Sequence, residues 1–434
     1  MKTLGLDIGT TTVSAVVVEN KTVLASRTLQ NGSFISTENR WEKIQNPVRI
    51  RSVALEAVSQ MLEIHPDVKR IGVTGQMHGI LYLDAAGNPV SPLYTWQDGR
   101  GDQLYLGDMT YVSYLRRITG HPVATGYGLV THFYNLKNGL VPDGAVTFCT
   151  IQDYIAMVLT GKTSPVMDAS DAASLGLFHV DCSRFDAFAL EKAEIDQSML
   201  PALTKASCIG NYRDIPVCVA IGDNQASFLG ATGGDLSCML VNVGTGSQFS
   251  AYAETYKSCA SLETRPFPGG GYLLVGAALC GGRAYAMMEH YIRDIVACIG
   301  GMQMESCYDA MDTVLSCGSK PDDLPRTSPR FQGTREDPSI RGGIDNISTE
   351  NFTIRHMLWS MLDGMAQELY DLYSIYVRQG GKTAKLVGSG NGLRKNKYLQ
   401  QCISDKFNCR LVMSSCKEEA ATGAALYAAG CDEM

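Results

Sequence analysis

Apolar residues recur along this chain with two different periods, and each change of period marks an element. Residues 3–29 hold short apolar runs broken at Gly9–Thr12 and at Glu19-Asn20-Lys21, which predicts three strands joined by turns. Over 47–64 the spacing lengthens. Ile50, Val53, Ala54, Ala57, Val58, Met61 and Leu62 fall on one stripe behind Pro47, which predicts an amphipathic helix. Arg70 to Thr74 predicts a buried strand entering Gly75-Gln76-Met77-His78-Gly79, and Ile80 to Leu83 continues extended before the turn at Ala86–Pro89. From 100 to 215 the pattern is less regular, with helices predicted at 102–118, 131–138 and 151–160. Ile215 to Gly222 predicts a strand, and Asp223 opens a helix through Ala231.

The second half repeats the design. Strands are predicted at 238–243, 247–252 and 272–278, then helices at 281–299 and 304–316 and a Pro/Gly/Arg-rich loop over 318–346. A long helix near 350–379 leads to a strand at Ala384–Val387. A helix to Phe407, a strand at 409–413 and a helix at 418–429 follow. This order predicts an α/β protein with mixed sheets flanked by helices. At 434 residues two domains are expected, and the boundary is set at 1–219 and 220–434.

Composition narrows the function classes. A formal net charge of −7 argues against nonspecific nucleic-acid binding, and no apolar run reaches the ~18 residues that a spanning helix needs. The first strand begins at once, with no basic and apolar leader before it. The 14 cysteines show no CxxC pair and no zinc-type spacing. They are expected to be reduced and mostly in the core, in a cytoplasmic protein.

Four stretches carry candidate chemistry. In Asp7-Ile8-Gly9-Thr10-Thr11-Thr12 a hairpin turn offers backbone N–H groups, hydroxyls and one carboxylate, which suit phosphate oxygens and a hydrated Mg²⁺; an ordinary polar hairpin is the alternative. Asn242-Val243-Gly244-Thr245-Gly246 repeats the pattern half a chain later with Asn in place of Asp. The two suggest loops closing on one phosphate chain, Asp7 reaching the metal through water. Asp223, in Gly222-Asp223-Asn224-Gln225, is read as an N-cap or as a general base for a hydroxyl nucleophile, two compatible roles. The set Gln76, Met77, His78, Trp96, Asp98 and Arg100 supplies the donors, acceptors and apolar face that a polyhydroxylated ligand needs. Gly388-Ser389-Gly390-Asn391-Gly392 is poor as a dinucleotide fingerprint and better as a glycine turn beside a base or ribose.

Taken together and in order, these residues resemble the FGGY-type carbohydrate kinases of the actin-like ATPase superfamily. The two Gly-Thr loops resemble that family's phosphate motifs, Gly388–Asn391 its adenosine motif and Gly222–Ala226 its catalytic segment. The resemblance implies two ribonuclease-H-like domains, each with a mixed five-stranded sheet flanked by helices, and a cleft between them that closes on binding. It implies ATP and Mg²⁺, a small-molecule sugar held mainly by the first domain, and nucleotide held by the second. A homodimer is compatible with it. It further implies Asp223 as base and as a second carboxylate near the metal, and adenosine contacts from Gly281 and Asn396. Gln76, Met77, His78, Tyr127 and Asn224 match the sugar site. Members that act on glycerol carry Arg-Glu in place of Met77-His78. Gln97, where pentulose members usually carry Asn, favours the heptulose branch. The family's Ser-x-x-Lys-x-x-Trp signature is degraded across Leu129 to Leu136. Two other classes compete: a nucleotide-gated assembly ATPase, and a dehydrogenase using the glycines at 388–392.

Overall fold

The computed structural model describes residues 1–431 except 260, 335, 336, 338, 383 and 384. Its first sheet is built on β1 (Lys2–Ile8), β2 (Thr12–Glu19) and β3 (Thr22–Gln30), an antiparallel meander. β4 (Arg70–Gly75) lies parallel to β1, because the helix α1 (Pro47–Ile64) carries the chain back across the sheet face. β5 (Cys208–Tyr212), β6 (Ile215–Cys218) and β7 (Ile221–Gly222) extend the edge beyond β4. The stripe predicted for α1 is the face it buries, and Asn46 caps it by accepting from the amides of Val48 and Arg49.

The second sheet repeats the connectivity. β8 (Cys238–Val243), β9 (Ser247–Ala253) and β11 (Tyr272–Ala278) are antiparallel, with β10 (Glu263–Pro266) on the outer edge of β11. β12 (Lys385–Ser389) then lies parallel to β8, and β13 (Leu411–Met413) closes the far side. The mixed sheets flanked by helices are as expected, but they hold seven and six strands rather than five. The additions are edge strands, where an unpaired row of backbone groups accepts a further strand.

Two helices join the lobes: α2 (Asp223–Thr232) and α3 (Glu419–Gly430), the last in the chain. A Cβ on Gly423 would overlap the carbonyl of Ala226, and one on Gly230 that of Glu419, so the two backbones touch at their crossing. α3 also lies against the first sheet, where Gly5 and Gly72 make room for the carbonyls of Ala421 and Ala424. The C-terminal helix thus covers the sheet formed by the N-terminal strands.

Several boundaries move. The helix expected at 102–118 runs only over Tyr111–Thr119, behind a 3₁₀ turn at Gly99–Asp102 and a small hairpin at Leu104–Leu106 and Met109–Thr110. Gly107, at φ +63°, makes the hairpin turn that a helix would forbid. The helix expected from 304 starts at Tyr308, and the loop 318–346 contains a two-strand ladder, Arg326–Ser328 with Gly343–Asp345. Within that loop residues 335, 336 and 338 lie outside the described residues, as does Ala384 at the start of the expected strand. All 14 cysteines are free thiols, but only Cys149, Cys218, Cys238, Cys280, Cys307 and Cys402 are fully buried. Among the described residues no helix is long and apolar enough to cross a membrane.

Candidate active site

The loop after β1 is shaped from behind. Asn31, fully buried, donates through Nδ2 to the carbonyls of Gly9 and Thr10 (3.0 Å each), and its own amide donates to the Thr11 carbonyl (2.9 Å). Gln45 donates through Nε2 to the Thr10 carbonyl at 2.6 Å. With these carbonyls engaged, the loop is left to offer the cleft its N–H groups and the hydroxyls of Thr11 and Thr12. In the matching loop of the second lobe Asn242 donates to Ser389 Oγ at 2.6 Å, so the residue that replaces Asp7 ties the second loop to the glycine turn at 388–392.

The sugar-side residues form a connected wall. Trp96 Nε1 donates to Thr10 Oγ1 (3.1 Å), which donates to Gln76 Oε1 (3.3 Å), while Gln76 Nε2 donates to Gln45 Oε1 (2.8 Å). His78 sits at φ +75°, a rare conformation for a residue with a Cβ, and stacks on Tyr127 with ring centroids 4.5 Å apart at 11°. Its amide donates to Ser174 Oγ at 3.1 Å and its Nδ1 lies 2.7 Å from the Ser174 carbonyl. A carbonyl only accepts, so Nδ1 carries the hydrogen and Nε2 is left as an acceptor. Burial holds the imidazole below its ordinary pKa, which keeps it neutral. Met77 is buried, with its terminal methyl beside Gly222.

Asp223 stands on the first turn of α2, where the helix dipole favours an anion. Asn224 Nδ2 donates to its Oδ1 at 2.7 Å, which leaves Oδ2 for another donor. Its charge is felt by Asp7, Asp171, His78 and Arg265, placing it where the two lobes meet. Burial, then the charges of Asp223 and Glu418, push the Asp7 carboxyl up to about 7. Oxygen donors that repel one another across a cleft suit a hard divalent cation, so the set fits Mg²⁺.

In the second lobe a cavity of about 770 Å³ opens beside Gly244 and Thr245, lined also by Tyr285, Asn391, Gly392 and Asn396. Its floor is backbone packed on backbone. A Cβ on Gly281 would overlap Gly246, one on Gly282 the carbonyl of Gly244, and one on Gly390, at φ +85°, the backbone of Val243. Gly246, Gly281 and Gly390 therefore pack beneath this cavity, whereas Gly244, Thr245, Asn391 and Asn396 line it; Gly388 instead makes room for the side chains of Leu393, Leu411 and Met413. A flat base and ribose fit such a glycine-floored cradle.

Asp98 and Arg100 differ from expectation. Both are buried and bound to each other, Arg100 Nε to Asp98 Oδ1 at 2.6 Å. The guanidinium also donates to Asn135 and lies 4.0 Å from the Tyr94 ring centroid, while Asp98 accepts from the Lys43 amide. Their polar atoms are spent inside the fold, so they hold the Trp96 turn and do not face a ligand.

Other residues of the site carry no local signal in the sequence. Asn31, Gln45 and Ser174 act through the loops they hold. Arg265, on β10 of the opposite lobe, is buried, pairs with Glu263 at 2.8 Å, and has an Nε with no hydrogen-bond partner among the described residues. Beneath His78, Thr150 Oγ1 lies 2.8 Å from Asp153 and 2.7 Å from Asp171. One hydroxyl hydrogen cannot serve both carboxyls, so one of the two acids carries a proton. Burial pushes both upward, as that sharing requires.

Duplicated β-meanders, a Gly-Thr loop in each lobe and a carboxylate on a helix N-terminus define a two-lobed phosphotransferase of the actin-like ATPase fold. The chain belongs to the FGGY family of carbohydrate kinases: that family's N-terminal domain matches residues 2–240 and its C-terminal domain residues 239–430. It is therefore a phosphotransferase with an alcohol group as acceptor, and membership implies ATP as the second substrate. Among curated proteins it is 28% identical to a sedoheptulokinase of Mus musculus, covering 98% of this chain and 96% of that one. Its fold matches a xylulose kinase from Rhodospirillum rubrum (TM-score 0.85, 21% identity, 99% and 90% of the two chains). It also matches Plasmodium falciparum glycerol kinase with ADP (TM-score 0.78, 19% identity, 100% and 90%).

Proposed function

We propose that this kinase transfers the γ-phosphoryl group of ATP to a terminal hydroxyl of a ketose, with sedoheptulose, giving its 7-phosphate, as the preferred substrate. The observation that carries the reading is Asp223 on its helix terminus, between the Asp7 loop and the stacked His78–Tyr127 pair. The sugar lies against that stack, with His78 Nε2 accepting from one hydroxyl and Asn224 fixing Asp223 so that Oδ2 receives the proton of the reacting one. Transfer is loose, so Asp223 chiefly orients the hydroxyl and takes its proton late. The N–H groups of the two Gly-Thr loops stabilise the charge on the transferring group. Asp7, through water, and Asp223 would hold Mg²⁺, which would supply charge to offset the repulsion between these carboxylates and the phosphates.

The heptulose preference rests on Gln76-Met77-His78 with Gln97 and on the sedoheptulokinase relatives. A pentulose is the second reading, favoured by the xylulose kinases among the structural neighbours. We assign the sugar to residues 1–219 and most nucleotide contacts to residues 220–434. An ADP-release screen over heptuloses, pentuloses, hexuloses and polyols tests this: the highest kcat/KM is expected on sedoheptulose. A polyol or hexulose preferred tenfold or more would overturn it.

A further inference from the structure

We propose that His121, His179 and Asp186 form a binding site for a divalent transition cation of the zinc type, separate from the phosphate cleft. Among the described residues they are the one group of three His, Cys, Asp or Glu whose ligand atoms all lie within 4.8 Å of one another. His121 Nε2 lies 2.9 Å and His179 Nε2 3.2 Å from the same oxygen, Asp186 Oδ2. Tetrahedral zinc, with bonds of about 2.0–2.2 Å to imidazole nitrogen and carboxylate oxygen, sets adjacent ligand atoms roughly 3.3 Å apart. Both imidazole–carboxylate separations lie within tenths of an ångström of that spacing, and the two imidazoles stand no more than 4.8 Å apart. Two imidazoles and one carboxylate are a borderline-soft donor set that selects zinc-like cations over Mg²⁺ or Ca²⁺. Water reaches the fourth position, since the His179 side chain is 42% exposed while those of His121 and Asp186 are 15% and 16% exposed.

The ligands come from two segments. His121 follows the helix Tyr111–Thr119, and His179 and Asp186 sit at the two sides of the hairpin Phe178–His179 with Arg184–Phe185. The same segments build one side of the sugar wall. The first continues to Val123 and Tyr127, and the second begins at Ser174, the partner of His78. They meet at Gly176, at φ +91°, where a Cβ would press on Val123 and Tyr127. The ion would clasp the two segments six residues from Tyr127 on one and five from Ser174 on the other, and would thereby hold the Tyr127–His78 stack in register. It is a positioning site, with no part in the transfer itself.

The test uses the full-length protein, dialysed against chelator and titrated with Zn²⁺ alone by calorimetry, with metal content measured by elemental analysis. One equivalent is expected, with a dissociation constant of about 10 μM or tighter and a raised melting temperature. His121→Ala/His179→Ala should weaken this binding at least ~100-fold. Because that pair could loosen the hairpin, the single His179→Gln variant is titrated as well and should weaken binding at least ~10-fold. Co²⁺ in place of Zn²⁺ should give visible bands of a nitrogen and oxygen site without a thiolate charge-transfer band. In kinetics the metal-loaded protein should show a lower sugar KM with kcat little changed. No saturable uptake up to about 100 μM Zn²⁺ would mean that the trio is only a hydrogen-bonded clasp and would overturn the proposal. Uptake of equal affinity in the variants would place the ion elsewhere, and a thiolate band would place it on cysteines; either would overturn the proposal.

Discussion

Asp7, proposed for the metal, feels the charge of Asp223, proposed for the reacting hydroxyl. Asp7 is pushed up to about 7 by burial and by the Asp223 and Glu418 charges. Its folded-state value lies above its unfolded one, so in metal-free protein its contribution is fully present below about pH 4 and is lost as pH rises through about 7. Metal binding needs the anion and runs the other way. The affinity for Mg²⁺–nucleotide should therefore rise between pH 6 and pH 8, and Asp7→Asn should flatten that dependence while weakening affinity throughout; calorimetry at three pH values measures both. For Asp223→Asn, turnover should fall by about 10²–10⁴, the usual range for a lost general base. Its dissociation constant for the sugar should change less than about threefold. Near wild-type turnover in a steady-state assay would remove Asp223 from the role assigned to it. The duplicated Gly-Thr loops were legible because a turn is a local pattern, and Asp223 because it stands between a strand and a helix. Asp98 and Arg100 were misread because a polar side chain looks the same in sequence whether it faces a ligand or another buried side chain.

At the scale of elements, the crossing of α2 and α3 is the tightest joint in the structure. Gly423 and Gly230 each face a carbonyl of the opposite helix, with no flexible side chain between to give way. Gly423→Ala should destabilise by about 2 kcal/mol or more, since the backbones must separate. Gly430→Ala, in open space on the same helix, should be neutral or slightly stabilising. Thermal unfolding of the two variants side by side checks the contrast. α1 was predictable to the residue because a 3.6 period, an Asn cap and a proline all agree. The segment 102–118 was not, because Leu104 and Leu106 alternate as strand residues within a stretch whose apolar spacing also fits a helix, and Gly107 settles the matter through its φ.

For the molecule as a whole, the order of the chain and the order of its packing differ. Residues 1–219 contain the strands of the first sheet except β7, but the helix that covers β1 and β4 comes from the other end of the chain. A fragment of residues 1–219 should therefore expose an apolar face and unfold without cooperativity or aggregate. The same fragment joined by a flexible linker to residues 419–431 should melt cooperatively, and calorimetry of the pair tests it. The same closing helix meets α2 at Ala226, one turn beyond Asp223, so the carboxylate proposed as base stands on a helix held by the C-terminal end of the chain.

What the sequence determined by itself was local: which stretches bend into Gly-Thr turns, which are strands or helices, and that the design occurs twice. These follow from the periodicity of apolar residues and from the turn chemistry of glycine and threonine, which act over a few bonds. What only the tertiary structure decided was which side chains face one another. It turned Asp98 and Arg100 inward, brought Ser174 under His78, set Arg265 of the opposite lobe within reach of the Asp223 charge, and gathered His121, His179 and Asp186 around one point. Contacts between residues far apart in the chain are fixed by the packing of whole sheets and helices, and no local pattern carries them.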